Sequence, residues 1–150
     1  MKQIKFDNPF SKKKVYNVDI NQIECIETLY LKGETTPDIC NVLKQKFNAY
    51  KSQDKKSHKF DIEQHITYEE MIEKLYLSKL KCYYCVCDIN ILYNVKRQKN
   101  QWTLERLNNN LGHYATNTCI CCLSCNLKRR TENHEYFKKS KQTVIIKLEL

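Results

Sequence analysis

Residues 103–130 read TLERLNNNLGHYATNTCICCLSCNLKRR, and this stretch decides the fold expected for the 150-residue chain. Four cysteines fall within the seven positions from Cys119 to Cys125, separated by two residues from three consecutive basic residues. An acidic and a basic residue, Glu105 and Arg106, precede them. Cysteines in closely spaced pairs are typical of metal sites in reducing compartments. The stretch therefore predicts a metal site beside a basic helix.

A second pair of cysteines, Cys82 and Cys85, lies upstream with two residues between its members. Such a Cys-x-x-Cys knuckle directs two sulfurs at one ion, and two knuckles supply the four ligands of a structural Zn²⁺. The downstream knuckle is either Cys122 with Cys125 or Cys119 with Cys122, because both pairs have this spacing. The 36 residues between Cys85 and Cys122 exceed the usual gap of compact zinc modules. This gap predicts a structured hairpin and loop between the knuckles.

The composition indicates an intracellular protein that binds a polyanion. The chain contains 26 Lys and Arg against 17 Asp and Glu, a formal net charge of +9 that favours nucleic acid as the partner. The N-terminus MKQIKFDNPFSKKK lacks the apolar run of a signal peptide, and no stretch has the apolar length that crosses a membrane. We therefore expect a protein of the cytoplasm or nucleus, with reduced cysteines and no membrane partner.

The pattern predicts an α+β protein with an N-terminal helical region, residues 1–61, and a second domain, residues 62–150. In the first region Gly33 is expected to end one helix and Thr36 to begin the next. The two helices fit either a plain helical hairpin or a DNA-binding helix-turn-helix. Residues 48–61 lose the apolar periodicity and are predicted to be a linker, whose lysines are either solvated or in contact with nucleic acid.

In residues 62–150 the pattern predicts one helix before the first knuckle and three strands after it. Thr67 begins the helix with a capping box. Strands are predicted over DINILYNV (88–95) and QWTLERL (101–107), and the alternating TVIIKLEL (143–150) is predicted to form a closing strand.

The order of these motifs resembles the zinc-containing HNH, or ββα-metal, endonucleases, which include phage enzymes that resolve Holliday junctions. The resemblance covers about residues 67–131 and rests on CYYC, WTLERLNNNLGH, Asn117 and CLSCNLKRR. It implies a ββα-metal finger preceded by a small helical region. In such proteins an Asn directly follows the last zinc cysteine, as Asn126 follows Cys125 here. The resemblance thus implies these Zn²⁺ ligands: Cys82, Cys85, Cys122 and Cys125.

The resemblance further implies a catalytic Mg²⁺ or Mn²⁺ beside the scissile phosphate, held by Glu105 and Asn126. Oxygen donors of this kind suit a hard divalent cation. The general base of these enzymes is normally a His directly after the acidic residue, and Arg106 occupies that position here. A guanidinium cannot take a proton from water, so we expect Arg106 to clamp the phosphate.

His113, in the Gly-His loop, is the candidate for the base that activates water. An equal alternative is that His113 orders the loop or hydrogen-bonds Asn117. The three basic residues that follow Asn126 are expected to contact DNA phosphates: Lys128, Arg129 and Arg130.

The resulting expectation is a metal-dependent HNH-type endonuclease that hydrolyses duplex or branched DNA. The alternative is a DNA-binding zinc protein or assembly subunit that keeps the fold without catalysis. The sequence leaves open whether two copies of the chain form a homodimer.

Overall fold

A computed structural model describes residues 13–143, and in this part of the chain five α-helices surround one β-hairpin. The helices are α1 (Gln22–Lys32), α2 (Pro37–Lys56), α3 (Tyr68–Ser78), α4 (Leu123–Arg129) and α5 (His134–Gln142). The strands are β1 (Trp102–Arg106) and β2 (Thr118–Cys122), which pair antiparallel with Glu105 opposite Cys119. A 3-10 turn, Ala115–Asn117, leads into β2. This combination of helices with a small sheet confirms the α+β class.

The predicted capping residues set the boundaries of three helices. The Thr36 side chain accepts a backbone hydrogen bond at the start of α2, and Pro37 occupies the first turn. Thr67 and Glu70 form the expected capping box of α3. Gly33 ends α1 in the left-handed region, with φ of 73°. The three predicted boundaries are confirmed. Sequence can predict them because each is set by hydrogen bonds between residues only a few positions apart.

Helix α2 is longer than predicted. Most of the expected linker, from residue 48 to Lys56, is helical. A polar stripe with helical spacing, Lys46, Tyr50 and Asp54, faces the rest of the protein. The linker prediction was wrong because these polar contacts replace the apolar stripe that sequence periodicity detects.

Each member of the stripe hydrogen-bonds the hairpin or the loop that joins its strands. Lys46 donates to the carbonyl of Trp102, the Tyr50 hydroxyl accepts from the backbone N–H of Leu104, and Asp54 accepts from His113. The second half of α2 is therefore fixed along β1 and the loop.

The strand predicted over residues 88–95 does not form. Asn90 makes one isolated bridge with Gln101, and the next two backbone N–H groups donate to the side-chain oxygen of Gln22. Gln22 is buried on α1, so its amide replaces a partner strand. The hairpin instead joins β1 to β2, directly before the second knuckle. The strand predicted over TVIIKLEL lies outside the described residues, except for Thr143, which caps the end of α5.

Side chains from both predicted regions contribute to one apolar core. Its most deeply buried members include Ile26, Ile39, Leu43, Met71, Leu75, Trp102 and Leu104. The division into domains at residue 61 stays a prediction, and so does the helix-turn-helix alternative. In residues 13–143 no helix has both the length and the apolar character that crossing a membrane requires.

Candidate metal centre and adjoining cavity

Four cysteine sulfurs converge where the two knuckles meet. The Sγ atoms of Cys82, Cys85, Cys122 and Cys125 all lie within 4.8 Å of one another. Those of Cys85 and Cys122 are 3.8 Å apart. Thiolates bound tetrahedrally at about 2.3 Å from a Zn²⁺ ion lie roughly 3.8 Å from each other, so this spacing fits a shared ion. The four cysteines could therefore hold a metal such as zinc, in the register that pairs Cys122 with Cys125.

Backbone N–H groups in both knuckles point at sulfur. The N–H of Tyr84 donates to Cys82 Sγ at 3.4 Å, and the N–H of Cys125 donates to Cys122 Sγ at 3.3 Å. Cys122 is also the N-cap of α4, so the start of this helix faces its sulfur. Hydrogen bonds to the charged form favour a thiolate, as metal binding requires.

The protein alone disfavours the thiolate form of two of the four cysteines, Cys122 and Cys125. Burial raises the pKa of Cys125 to about 12. Hydrogen bonding with Cys82 raises the pKa of Cys122 above its ordinary range. A cation among the sulfurs would supply the positive charge that stabilises the ionised thiols.

The four predicted catalytic residues line one small cavity beside the cysteine cluster. The cavity has a volume of about 160 Å³. Glu105 and Arg106 come from β1, His113 from the loop between the strands and Asn126 from α4. The other residues that line it are Tyr50, Gln53, Leu104, Asn109 and Arg130. The fold thus brings together residues that the sequence places in three separate segments.

Glu105 is bound inside the protein by Arg129. Arg129 Nε donates to Glu105 Oε1 at 2.8 Å, and the two side chains are only 2% and 5% exposed. The guanidinium also donates to the carbonyls of Arg106 and Glu132 at 2.6 and 2.5 Å and to Asn109 Oδ1 at 2.7 Å. A buried carboxylate needs a counter-charge, and Arg129 supplies it. Arg129 therefore lacks the exposed position expected for contact with DNA.

Glu105 and Asn126 offer oxygen atoms on the same cavity. Glu105 Oε2 lies 3.5 Å from the Cys121 thiol. Asn126 Nδ2 donates to Thr103 Oγ1 at 3.2 Å, and its Oδ1 makes no hydrogen bond with a described residue. A carboxylate and an amide oxygen are the donors that a hard divalent cation takes. They fit such an ion, although Arg129 already compensates the carboxylate charge.

His113 is held by Asp54, a residue that the sequence motifs did not indicate. The carboxylate is fully buried on α2 and accepts from His113 Nδ1 at 2.7 Å and from its backbone N–H at 2.6 Å. Burial lowers the pKa of His113, and the hydrogen bond and charge of Asp54 partly oppose this effect. The four-residue spacing of Lys46, Tyr50 and Asp54 is the pattern that could have placed Asp54 on the hairpin side of α2.

Asn117 does not hydrogen-bond His113 but bonds two other residues of the loop. Its side chain donates to the carbonyls of Asn108 and Gly112, both at 3.0 Å, and accepts from the N–H of Asn108 at 2.9 Å. The loop is therefore ordered by Asn117, which leaves His113 free to bond Asp54.

Gly112 lets the loop approach α2 closely. A Cβ at this position would lie 2.4 Å from the carbonyl oxygen of Lys59 and 2.8 Å from Asp54 Oδ2. Neither contact leaves room for a side chain, since both neighbours are fixed atoms. Packing therefore explains the Gly-His pair: Gly112 leaves space for the Asp54 carboxylate, and His113 hydrogen-bonds it.

A basic groove adjoins the cavity along α2. It is lined by Ala49, Ser52, Gln53, Lys56, Ser57, Lys59 and Arg106. Gln53 and Arg106 line both spaces, and the groove lining contains no Asp or Glu. Arg130, which lines the cavity, and Lys128 on α4 are exposed. Positive side chains thus lie on two sides of the cavity.

No family model, curated protein or solved structure matches the chain. The resemblance to HNH endonucleases stays a prediction from the motifs.

Replacement of Cys122 by Ser should remove the bound metal and lower the melting temperature, because structural zinc contributes folding free energy directly. Cys121→Ser is the matched control: Cys121 is buried beside the cluster but is outside the group of four. Metal analysis of both purified variants measures the bound metal, and thermal unfolding measures the melting temperature. Metal loss in Cys121→Ser with retention in Cys122→Ser would show that another set of cysteines binds the ion.

Gly112→Ala should reduce the free energy of unfolding by about 1–3 kcal/mol, since the added methyl group overlaps a backbone oxygen and a buried carboxylate. Ser52→Ala, at an exposed position of α2, should change it by no more than about 0.5 kcal/mol. Denaturant unfolding of the two variants gives the comparison. Equal stability of Gly112→Ala and the unmodified protein would mean that the loop does not depend on its contact with Asp54.

Proposed function

We propose that this protein is a metal-dependent endonuclease of the HNH type, which hydrolyses a phosphodiester bond of DNA on a zinc-stabilised ββα fold. The observation that carries the proposal is the cavity shared by Glu105, Arg106, His113 and Asn126. A finger with a purely structural role gives no reason for an acid, an amide, a histidine and an arginine to share one cavity.

In the proposed site, β1, β2 and α4 form the ββα unit, and Zn²⁺ is the ion of the cysteine cluster. Glu105 and Asn126 would hold Mg²⁺ or Mn²⁺. Such an ion neutralises charge on the scissile phosphate and on the leaving oxygen. The Glu105 carboxylate can serve both Arg129 and a cation, because each of its oxygens has two lone pairs.

His113 is the proposed general base. Its lowered pKa keeps the imidazole neutral near pH 7, so a ring nitrogen can accept the proton of the attacking water. Arg106 remains charged and makes only long bonds, 3.4 and 3.3 Å, from Nη1 to the carbonyls of Asn109 and Leu111. Its remaining N–H groups are suited to clamp a phosphate.

The cations around the cavity support nucleic acid as the substrate. Arg106 and Arg130 line the cavity, and Lys56 and Lys59 line the adjoining groove. Lys128 is exposed on α4, the helix that carries Asn126. Contacts from such residues position the sugar-phosphate backbone without reading its sequence.

The ion pair of Glu105 with Arg129 favours a second candidate, a DNA-binding zinc protein or assembly subunit without catalysis. A carboxylate already compensated by a guanidinium attracts a divalent cation less strongly than a free carboxylate does. The second candidate keeps the zinc cluster and the basic surface but has no catalytic metal.

Cleavage of DNA tests the choice between the two candidates. His113→Asn should slow cleavage in Mg²⁺ by roughly 10² to 10⁴, since Asn cannot take a proton, while DNA affinity stays nearly unchanged. His58→Asn, at an exposed position, is the matched control. The rate of the unmodified protein should fall as the pH decreases through the lowered pKa of His113, because the imidazolium cannot act as a base.

The substrates are linear, nicked, single-stranded and four-way-junction DNA, each with Mg²⁺ or Mn²⁺. If protein with confirmed zinc and confirmed DNA binding cuts none of them, the non-catalytic candidate is correct.

Replacement of both Lys128 and Arg130 by Gln should reduce the slope of log affinity against log salt by about 1.8, because each phosphate contact to duplex DNA contributes about 0.9. Lys44→Gln should leave the slope unchanged, since Lys44 is exposed on α2 and lines neither the groove nor the cavity. Fluorescence anisotropy at several salt concentrations gives the slopes. An unchanged slope in the double variant would place the DNA surface elsewhere.

A further inference from the structure

Asp54 is a fully buried carboxylate that belongs to none of the sequence motifs. It lies on α2, in the region before residue 62, yet both of its oxygens bond one residue of the loop between the strands. Oδ1 accepts from His113 Nδ1 at 2.7 Å, and Oδ2 accepts from the backbone N–H of the same residue at 2.6 Å. Gly112, directly before it, has no side chain that would block this approach.

We propose that Asp54 is the positioning residue for His113: it holds the imidazole in the tautomer with the proton on Nδ1, and Nε2 then accepts the proton of water. This inference rests on the proposed role of His113 as general base. An ionised carboxylate only accepts hydrogen bonds, so the nitrogen that faces it must carry a proton. Nε2 makes no hydrogen bond with a described residue, and His113 lines the cavity.

The two bonds also fix the position of the ring. Oδ2 holds the backbone of His113, Oδ1 holds its side chain, and the Tyr50 ring lies against the imidazole with 4.7 Å between ring centres. A base must keep a hydrogen-bonding distance to the proton that it removes. In the step itself, water gives one proton to Nε2 while its oxygen bonds to phosphorus. The leaving oxygen takes the electron pair of the broken P–O bond.

Titratable and charged groups face His113 from several elements. Asp54 and Tyr50 belong to α2, Arg106 to β1, and His65 precedes α3. Asp54 raises the pKa of His113, whereas Arg106 and His65 lower it. His65 Nδ1 donates to the carbonyl of Ile66 at 2.8 Å, and its Nε2 lies 3.6 Å from Asp54 Oδ2.

Asp54→Asn is the informative substitution. An Asn side chain has one oxygen, so it can accept only one of the two bonds that Asp54 accepts. It also removes the negative charge that favours the imidazolium. The titration midpoint of His113 should therefore move to lower pH, and the acid limb of the cleavage profile should move with it.

The test is NMR of the full-length, zinc-loaded, ¹⁵N-labelled protein, with imidazole nitrogen spectra recorded across the titration of His113. The His113→Asn variant assigns the signals. In the unmodified protein above the midpoint, we expect the proton on Nδ1. In Asp54→Asn, we expect a mixture of tautomers, a lower midpoint, and a cleavage rate reduced at least about 10-fold, up to the 10² to 10⁴ that the base supplies. Asp38→Asn, a half-buried position on the same helix that pairs with Lys14, should change none of these.

The proposal is overturned if neutral His113 carries its proton on Nε2, or if Asp54→Asn keeps the tautomer and midpoint of the unmodified protein. If Asp54→Asn does not fold, the spectrum of the unmodified protein decides the question alone. If His113 has the Nδ1 tautomer but the protein cleaves no DNA, the proposed function is overturned, and with it the catalytic role of Asp54. Cleavage by a protein with the Nε2 tautomer would overturn only the role of Asp54.

Discussion

The convergence of four cysteine sulfurs is the constraint on which the rest of the site depends. Cys122 is at once the last residue of β2, the N-cap of α4 and a member of the cluster. Strand, knuckle and helix are therefore joined without a flexible residue between them. The direction of α4 follows from this junction, and so does the place of Asn126 beside β1. A metal held by the sulfurs would fix the cavity wall from a distance, although none of the cysteines lines the cavity.

Two buried carboxylates serve the cavity: Glu105 lines it, and Asp54 holds His113, which lines it. Their partners differ in kind. Glu105 is paired with a guanidinium, which stays charged at every pH of interest, whereas Asp54 is paired with an imidazole, which can gain or lose a proton. Removal of one partner from a buried pair leaves an uncompensated charge and costs about 3–5 kcal/mol. The first pair is suited to a constant structural role, and the second can change its proton content without loss of the hydrogen bond.

The parts of the fold that sequence predicted depend on neighbours along the chain. The Cys-x-x-Cys knuckles and the caps at Thr36 and Thr67 follow from hydrogen bonds or ligand geometry within a few residues, and the structure has them as expected. The missed features depend on partners far away. The second half of α2 is helical because it contacts β1. Backbone N–H groups after the first knuckle donate to Gln22 of α1 in place of a partner strand. Arg129 is buried because its guanidinium pairs with Glu105. Local patterns contain no information on these partners.

The charge compensation of Glu105 also bears on how a catalytic metal would bind. Arg129 keeps three further hydrogen bonds, to Arg106, Asn109 and Glu132, so it need not leave when a cation approaches the carboxylate. The pair of Glu105 and Arg129 is then nearly neutral as seen by that cation, and the uncharged Asn126 adds no attraction between charges. The missing negative charge is one that a DNA phosphate supplies. In the proposed nuclease, the divalent cation and the substrate are therefore expected to bind together, each completing the site for the other, because neither Glu105 nor Asn126 alone offers a free negative charge.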